Sequence, residues 1–339
     1  MKIKPHLAMH GDCVEIQWQD SEGKDRFIII DSGPKESFEN GFNSAINSIF
    51  LNEKNTIDLL IVSHYDTDHI EGFLEFFKRK DIDFSKIKEI WFNSKQLVFE
   101  KPLSSYEAHF ERIKEISTNL ELGVGELISL TKKIEELKIK SNCFPITVET
   151  INEYDFDNLK LILISPFNEN LQILFDSEPE LTLSSKDIKA KSIEELWNLP
   201  NLSDSKKVHG ASLSFILEHD GKRLLYLSDT SINVVYKRLL QLEDGINFDK
   251  IKLSHHGSIY NISKEFINYV NCSTYIISSD GLRHKHPHRE TLAKIAFSNK
   301  EKGIPTEFIF NYPIHETIFS EEEKSKYQIK CTTSNEFHL

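Results

Sequence analysis

The chain has 339 residues, 39% hydrophobic and 28% charged, which is enough apolar material for one large α/β domain or two smaller ones. Asp and Glu outnumber Lys and Arg 53 to 41, for a net charge of −12. That excludes a protein that coats nucleic acid through a globally basic surface, although bound metal ions would add local positive charge that side-chain counting misses. No apolar run approaches the roughly 20 residues needed to cross a bilayer. No apolar stretch follows the charged start Met1-Lys2-Ile3-Lys4-Pro5-His6, so no signal peptide is expected. The four cysteines, Cys13, Cys143, Cys272 and Cys331, form no CxxC pair, and reduced thiols in the cytoplasm are the expectation.

Val14-Glu15-Ile16-Gln17-Trp18 alternates apolar and polar residues as a half-buried strand does. The turn residues Asp20-Ser21-Glu22-Gly23 join it to the apolar run Arg26-Phe27-Ile28-Ile29-Ile30, predicting a hairpin that stops at Asp31-Ser32-Gly33-Pro34. Leu59-Leu60-Ile61-Val62 reads as a third buried strand running into a His/Asp cluster. Ile70, Phe73, Leu74, Phe76 and Phe77 at helical spacing predict a helix after the cluster, and Ile87–Phe92 the next strand. Residues 94–146 read as an inserted helical pair, with Ser104-Ser105-Tyr106-Glu107 as a capping box and apolar faces marked by Tyr106, Phe110, Ile113 and then Val124, Leu127, Ile128, Ile134, Leu137. Leu159–Ile164 is a strand. Residues 166–208 are polar and irregular, apart from a short helix near Ile193–Trp197. A second hairpin, Leu213–Leu217 and Arg223–Leu227, is followed by a helix near Ile232–Leu242, then by the strands Ile251–Leu253 and Tyr275–Ser278. Polar clusters recur where the apolar strands end, and active sites of layered α/β folds are commonly built there.

The densest cluster is Ser63-His64-Tyr65-Asp66-Thr67-Asp68-His69, two imidazoles and two carboxylates within six residues. These are the common nitrogen and oxygen ligands of zinc, manganese and iron, and four of them on one short segment can converge on adjacent cations. A surface loop with satisfied histidines is the plain alternative. The position of the cluster, directly after a buried strand and before an amphipathic helix, favours the metal reading. No Gly-x-Ser-x-Gly elbow is present, and no Cys/His/Asn pattern supplies another nucleophile.

With Gly72 added, the cluster resembles the metallo-β-lactamase superfamily signature, a strand followed by Ser/Thr-His-x-His-x-Asp-His and a Gly. It departs at Asp66, which stands where a second His is usual, and that variant resembles the hydrolase domain of the ComEC/Rec2 competence proteins. Gly11-Asp12-Cys13, Ile30-Asp31-Ser32-Gly33, Ala211-Ser212-Leu213 with Leu227-Ser228-Asp229 (Ser228 replacing a Gly), Ser254-His255-His256-Gly257-Ser258 and His286-Pro287-His288 match further motifs in the same order, over about residues 8–292. The inserts at 94–146 and 166–208 are not explained by the resemblance.

The resemblance implies an αββα sandwich, a single domain over 1–339 with an inserted helical subdomain and the site at one edge. It implies two divalent metal ions, zinc or manganese. His64 and Asp66 would bind the first, Asp68 and His69 the second, Asp229 would bridge them, and His255 would complete the second. His209 is either the third ligand of the first metal or a loop histidine, since the ComEC-like branch usually has Asn there. Asp31 is expected to hold a ligating His. His256 is expected to turn away or toward substrate, and His286 to contact substrate or a ligand. Asp68 and Asp229 carry the catalytic expectation, a metal-activated water attacking a phosphodiester, with nucleic acid as the implied substrate and Lys206, Lys207, Lys222, Arg223, Arg283 and Lys285 as a basic groove. A lactone, thioester or lactam hydrolase is the second reading. A catalytically weak binding module that offers 94–146 to a protein partner is the third.

Overall fold

A computed structural model describes residues 1–94, 122–176, 191–204, 206–243 and 246–339. The first sheet begins with β1 (Lys2–Pro5), β2 (Val14–Gln19) and β3 (Asp25–Ile30). The helix α1 (Phe42–Phe50), β4 (Leu59–Ile61), α2 (Thr67–Phe76) and β5 (Ile90–Trp91) follow. α3 (Leu122–Leu137) leads to the second sheet, which runs β6 (Glu153–Phe156), β7 (Leu159–Ser165), β8 (Ser214–His219), β9 (Lys222–Tyr226), β10 (Lys250–Lys252), β11 (Thr274–Ile277), β12 (Thr306–Phe310) and β13 (Ile329–Thr333). Between its strands lie α4 (Asn168–Asp176), α5 (Ile193–Trp197), α6 (Lys207–Gly210), α7 (Ile232–Leu239), α8 (Lys264–Tyr269), α9 (Arg289–Glu301) and α10 (Glu321–Tyr327). β14 (Phe337–His338) returns to the first sheet, whose order is β14-β1-β2-β3-β4-β5, while the second is ordered β13 down to β6.

Side-chain alternation shows why the chain stacks in four layers. Ile28 and Ile30 of β3, and Leu59 and Ile61 of β4, point inward and meet Phe215, Leu217, Leu224 and Tyr226 of the second sheet. Their neighbours Phe27, Ile29, Leu60 and Val62 point outward, beneath Phe42 and Ile46 of α1, Phe73 and Phe76 of α2, and Leu130 and Ile134 of α3. Leu225, Ile251 and Tyr275 form the outer face of the second sheet with Val235 of α7, Phe266 of α8 and Leu292 of α9. Strands covered on both faces read as unbroken apolar runs, as Phe27–Ile30 and Leu59–Val62 do. Burying each such side chain contributes roughly 1.5–3 kcal/mol. The result is the αββα sandwich, with no helix among the described residues long and apolar enough to cross a membrane.

Both predicted hairpins form, pairing Val14 with Ile30 and Phe215 with Tyr226. The predicted strand Ile87–Phe92 shrinks to Ile90–Trp91, preceded by an isolated bridge from Ile87 to Ile57. Of the inserted helical pair, one helix is α3, packed on α2, while the capping box at 104–107 and the face of Tyr106, Phe110 and Ile113 lie outside the described residues. The stretch 166–208, expected to be irregular but for one short helix, also carries α4 and α6.

β3, β4 and β5 are parallel, and so are β9 through β13. Their carboxyl ends meet at one edge, where the Leu213 N–H donates to the Ser63 carbonyl at 2.8 Å and the Ser228 hydroxyl to Ser63 Oγ at 2.6 Å. At this edge the end of β3 is locked to α2. Ser32 Oγ donates to the His69 carbonyl and accepts from the Phe73 N–H, both at 2.9 Å. The approach is so close that a Cβ on Gly72 would lie 2.3 Å from the Ser32 carbonyl oxygen. We expect Gly72→Ala to destabilise the protein by about 1–3 kcal/mol, read as a lower urea midpoint.

At the opposite end of β4, Asp58 accepts from Arg26 Nε at 2.7 Å, Lys88 Nζ at 2.6 Å and the Phe27 N–H at 3.0 Å. Burial alone would raise its carboxyl, but these donors hold it below the ordinary 3.8. Its contribution is therefore complete above that value and disappears as pH falls through the lowered one. Asp58→Asn is expected to cost about 1–3 kcal/mol near neutral pH. The gap to wild type should narrow in urea titrations repeated at about pH 3.

Candidate metal centre

The end of β4 delivers His64 and then Asp66, which takes the extended position before α2 (φ −62°, ψ 144°). Asp68 and His69 occupy the first turn of that helix, where exposed N–H groups favour carboxylates. The second sheet supplies the rest. His209 sits in α6 ahead of β8, Asp229 lies three residues beyond the end of β9, and His255 and His256 follow β10. Both of those histidines adopt left-handed backbone conformations (φ 47° and 56°), which turn the chain sharply after the strand.

Five imidazoles are tied back through Nδ1. His69 pairs with Asp31 at 2.8 Å, and Asp31 also accepts the Ser63 N–H at 2.7 Å and its hydroxyl at 2.6 Å. His64 Nδ1 lies 3.0 Å from Ser63 Oγ and 3.3 Å from Ser212 Oγ. His209 binds Asp204, His255 the Asn261 side-chain oxygen at 3.1 Å, and His256 the Ser278 carbonyl at 2.8 Å. Each ring therefore presents Nε2 inward. His64 Nε2 is 3.9 Å from both Asp66 and Asp229, and His209 Nε2 is 3.4 Å from Asp66. His69 is 3.5 Å from Asp229 and 3.9 Å from Asp68. His256 is 3.8 Å from each of the same two carboxylates, and His255 is 3.7 Å from Asp229.

Separations of this size are long for hydrogen bonds. They suit donors sharing a cation, since tetrahedral bonds of about 2.0–2.1 Å set neighbouring donors roughly 3.3 Å apart. His64, His69 and His256 Nε2 and Asp229 Oδ1 are buried without a hydrogen-bond partner, a costly arrangement unless a ligand completes it. Two donor sets share Asp229: His64 and His209 with Asp66 beside them, and His69 and His256 with Asp68 beside them. The residues thus fit two divalent cations.

The sequence pattern predicts His255 in the second set and His256 turned away or toward substrate, as an extended backbone after β10 would set them. The left-handed turn reverses that placement, so His256 faces Asp68 and His69 while His255 stands beside His209, with ring centroids 4.5 Å apart. Asp31 lies against His69, as the expected second partner of a ligating histidine would. The buried His286 ring is 5.0 Å from His255 and 6.0 Å from His256. Of the expected basic groove, Lys206 is present, 3.6 Å from Asp66. Lys222 and Arg223 are not part of it. They begin β9, at the end opposite Asp229, and pair with Asp249 and Glu218.

Sequence reasoning missed Asp204 and Asn261, whose side chains hold His209, His255 and each other (2.8 Å). No motif marks either residue. It also missed the role of Asp12, buried in an ion pair with Lys252 and 3.6 Å from His256 Nδ1. The motif Gly11-Asp12 was the available signal, and a Cβ on Gly11 would run into the Asp68 carbonyl at 1.9 Å.

The electrostatics prepare carboxylates for cations. Burial would raise Asp66 and Asp229, but neighbouring histidines hold both well below the ordinary carboxylate range, chiefly His209 for Asp66 and His255 and His69 for Asp229. Burial pushes His64 well down and His255 down to about 4. Burial also opposes charge on His209, but Asp204 and Asp66 outweigh it and raise the ring to about 9 in the protein alone.

No family model matches the chain, and no curated protein matches it. Among solved structures, the chain is similar to Zn(2+)-bound PqqB from Methylobacterium extorquens, at 12% identity over the whole of both chains with a TM-score of 0.43. It is similar to CmlA, a diiron β-hydroxylase from Streptomyces venezuelae, at 10% identity over 100% of this chain and 54% of that one, TM-score 0.43. It is similar to a diphosphatase from the PhnP family at 12% identity over 99% and 87% of the two chains, TM-score 0.40.

Proposed function

We propose that the protein is a two-metal hydrolase whose substrates are phosphate esters, phosphodiesters of the nucleic-acid type foremost. The observation that carries this reading is the set of five imidazoles, each tied outward through Nδ1 and aimed inward through Nε2 around Asp229. His64, Asp66, His209 and Asp229 would hold one cation, and Asp68, His69, His256 and Asp229 the other. Bound there, zinc or manganese would supply a water of lowered pKa and polarise the bond to be cleaved. The chain's own groups orient the reaction. Asp31, Asp204 and Asn261 fix ring tautomers, Asp68 stands at the open side of α2 to hold a proton, and His286 is placed beside His255 to meet substrate. The Lys206 ammonium beside Asp66 favours an anionic substrate over a neutral lactone or thioester.

Purified protein loaded with manganese or zinc should hydrolyse fluorescent single- or double-stranded DNA, and Asp68→Ala should lower the rate by about 100-fold or more. Cleavage of lactone or thioester substrates without DNA cleavage would replace the phosphodiester reading. Failure to bind either metal would leave a binding module.

Asp31→Asn is expected to weaken metal binding roughly 10–100-fold, because His69 loses the carboxylate that fixes its tautomer. Chelator competition measures this without reference to turnover.

A further inference from the structure

The loop 279–288 closes over one side of the centre and is fastened to the loop before β2, where the Asp280 N–H donates to the Met9 carbonyl at 2.9 Å and the Met9 N–H to the Tyr312 hydroxyl at 2.8 Å. This junction aligns imidazoles outward from the metal centre. His286 is 6.0 Å from His256, His284 is 5.7 Å from His286, and His10 is 6.4 Å from His284 between ring centroids. At the outer end, exposed Arg283 donates from Nη1 to His10 Nε2 at 2.9 Å. Asp280 Oδ1 accepts the Leu282 N–H at 3.0 Å in a local turn and forms no ion pair with Arg283. Among the described residues, Arg283 pairs with no carboxylate, in a chain where carboxylates are in excess.

An imidazole is an unusual acceptor for a guanidinium. It fixes one edge of the fork and leaves the remaining N–H donors for a ligand. With Nε2 accepting, His10 in its neutral form carries its proton on Nδ1 as a further donor. Burial pushes the pKa of His10 and His284 down, so both rings are neutral donor-acceptor groups near neutral pH and do not repel Arg283. On the inner side, Lys206, 3.6 Å from Asp66, is close enough to act electrostatically on His284.

We infer that Arg283, braced by His10 and flanked by His284, binds a phosphate group of the substrate other than the one cleaved. This rests on the phosphoesterase reading and deepens it, because it selects substrates carrying at least two phosphates, such as a 5′-phosphorylated oligonucleotide. A guanidinium fork suits phosphate geometry, and the row His10, His284 and His286 separates Arg283 from His256, so the phosphate it takes lies along the substrate from the bond cleaved.

The experiment compares hydrolysis of a dinucleotide with and without a 5′-phosphate by the manganese-loaded wild type, Arg283→Ala and the control Lys285→Ala. The wild type should prefer the phosphorylated dinucleotide in kcat/KM. Arg283→Ala should reduce that preference about tenfold, the worth of one charge-assisted hydrogen bond, and Lys285→Ala should keep it. An unchanged preference in Arg283→Ala, or an equal loss in both variants, overturns the site. Inorganic phosphate titrated calorimetrically into the metal-free proteins separates this from the reaction itself. If the wild type cleaves neither dinucleotide, the phosphodiester reading fails, yet weaker phosphate binding in Arg283→Ala alone would still uphold the anion site, and equal binding would refute it.

Discussion

The Asp31 carboxylate, fully buried where β3 ends, receives the Ser63 amide, the Ser63 hydroxyl and His69 Nδ1. An ionised carboxylate out of water costs several kcal/mol unless its oxygens are satisfied, so these donors must be present together. That requirement sets the end of β4 and the first turn of α2 against the end of β3. Ser63 passes the constraint onward, accepting from Ser228 through its hydroxyl and from Leu213 through its carbonyl, which places the second sheet's contributions opposite the first's. The metal-type side chains are arranged by a buried polar network that leaves little freedom, while the inner nitrogens of His64, His69 and His256 and one oxygen of Asp229 are left without partners.

The second sheet reaches the same precision at the cost of backbone strain. Consecutive left-handed residues at His255 and His256 cost about 1–2 kcal/mol each in side-chain–backbone crowding. The His255 N–H, bonded to the Ser228 carbonyl at 2.8 Å, and the two Nδ1 anchors offset that cost. Gly257, at φ 85° with Pro287 pressed against it, completes the turn. Two adjacent histidines can thus face one centre from different sides, which an extended strand would forbid.

Much of the architecture was legible because strands buried on both faces write themselves as apolar runs. Phe27–Ile30, Leu59–Val62 and Leu213–Leu217 all became strands close to their expected limits. The cluster at 64–69 could be read because its residues are neighbours in sequence. What escaped was set by contacts between distant residues. Asp204 and Asn261 look like any loop Asp and Asn, the swap of His255 and His256 depends on two φ angles, and α9, β12, α10, β13 and β14 lie beyond His288, past the last of the motifs. Lys222 and Arg223 were close to Asp229 in sequence, yet a strand's length separates its two ends.

The two donor sets also draw on both layers of the sandwich. His64, Asp66, Asp68 and His69 belong to the first sheet, and His209, Asp229 and His256 to the second. A cation held by either set would be a further cross-link between layers already joined by apolar contact, a few serines and the buried Asp12–Lys252 ion pair. Its binding energy would count directly as folding energy, and each cation gained would make the two sheets harder to part at the reactive edge. The edge proposed to perform the chemistry would then also be the rivet of the fold, and starving the protein of metal would loosen the sandwich from that side first.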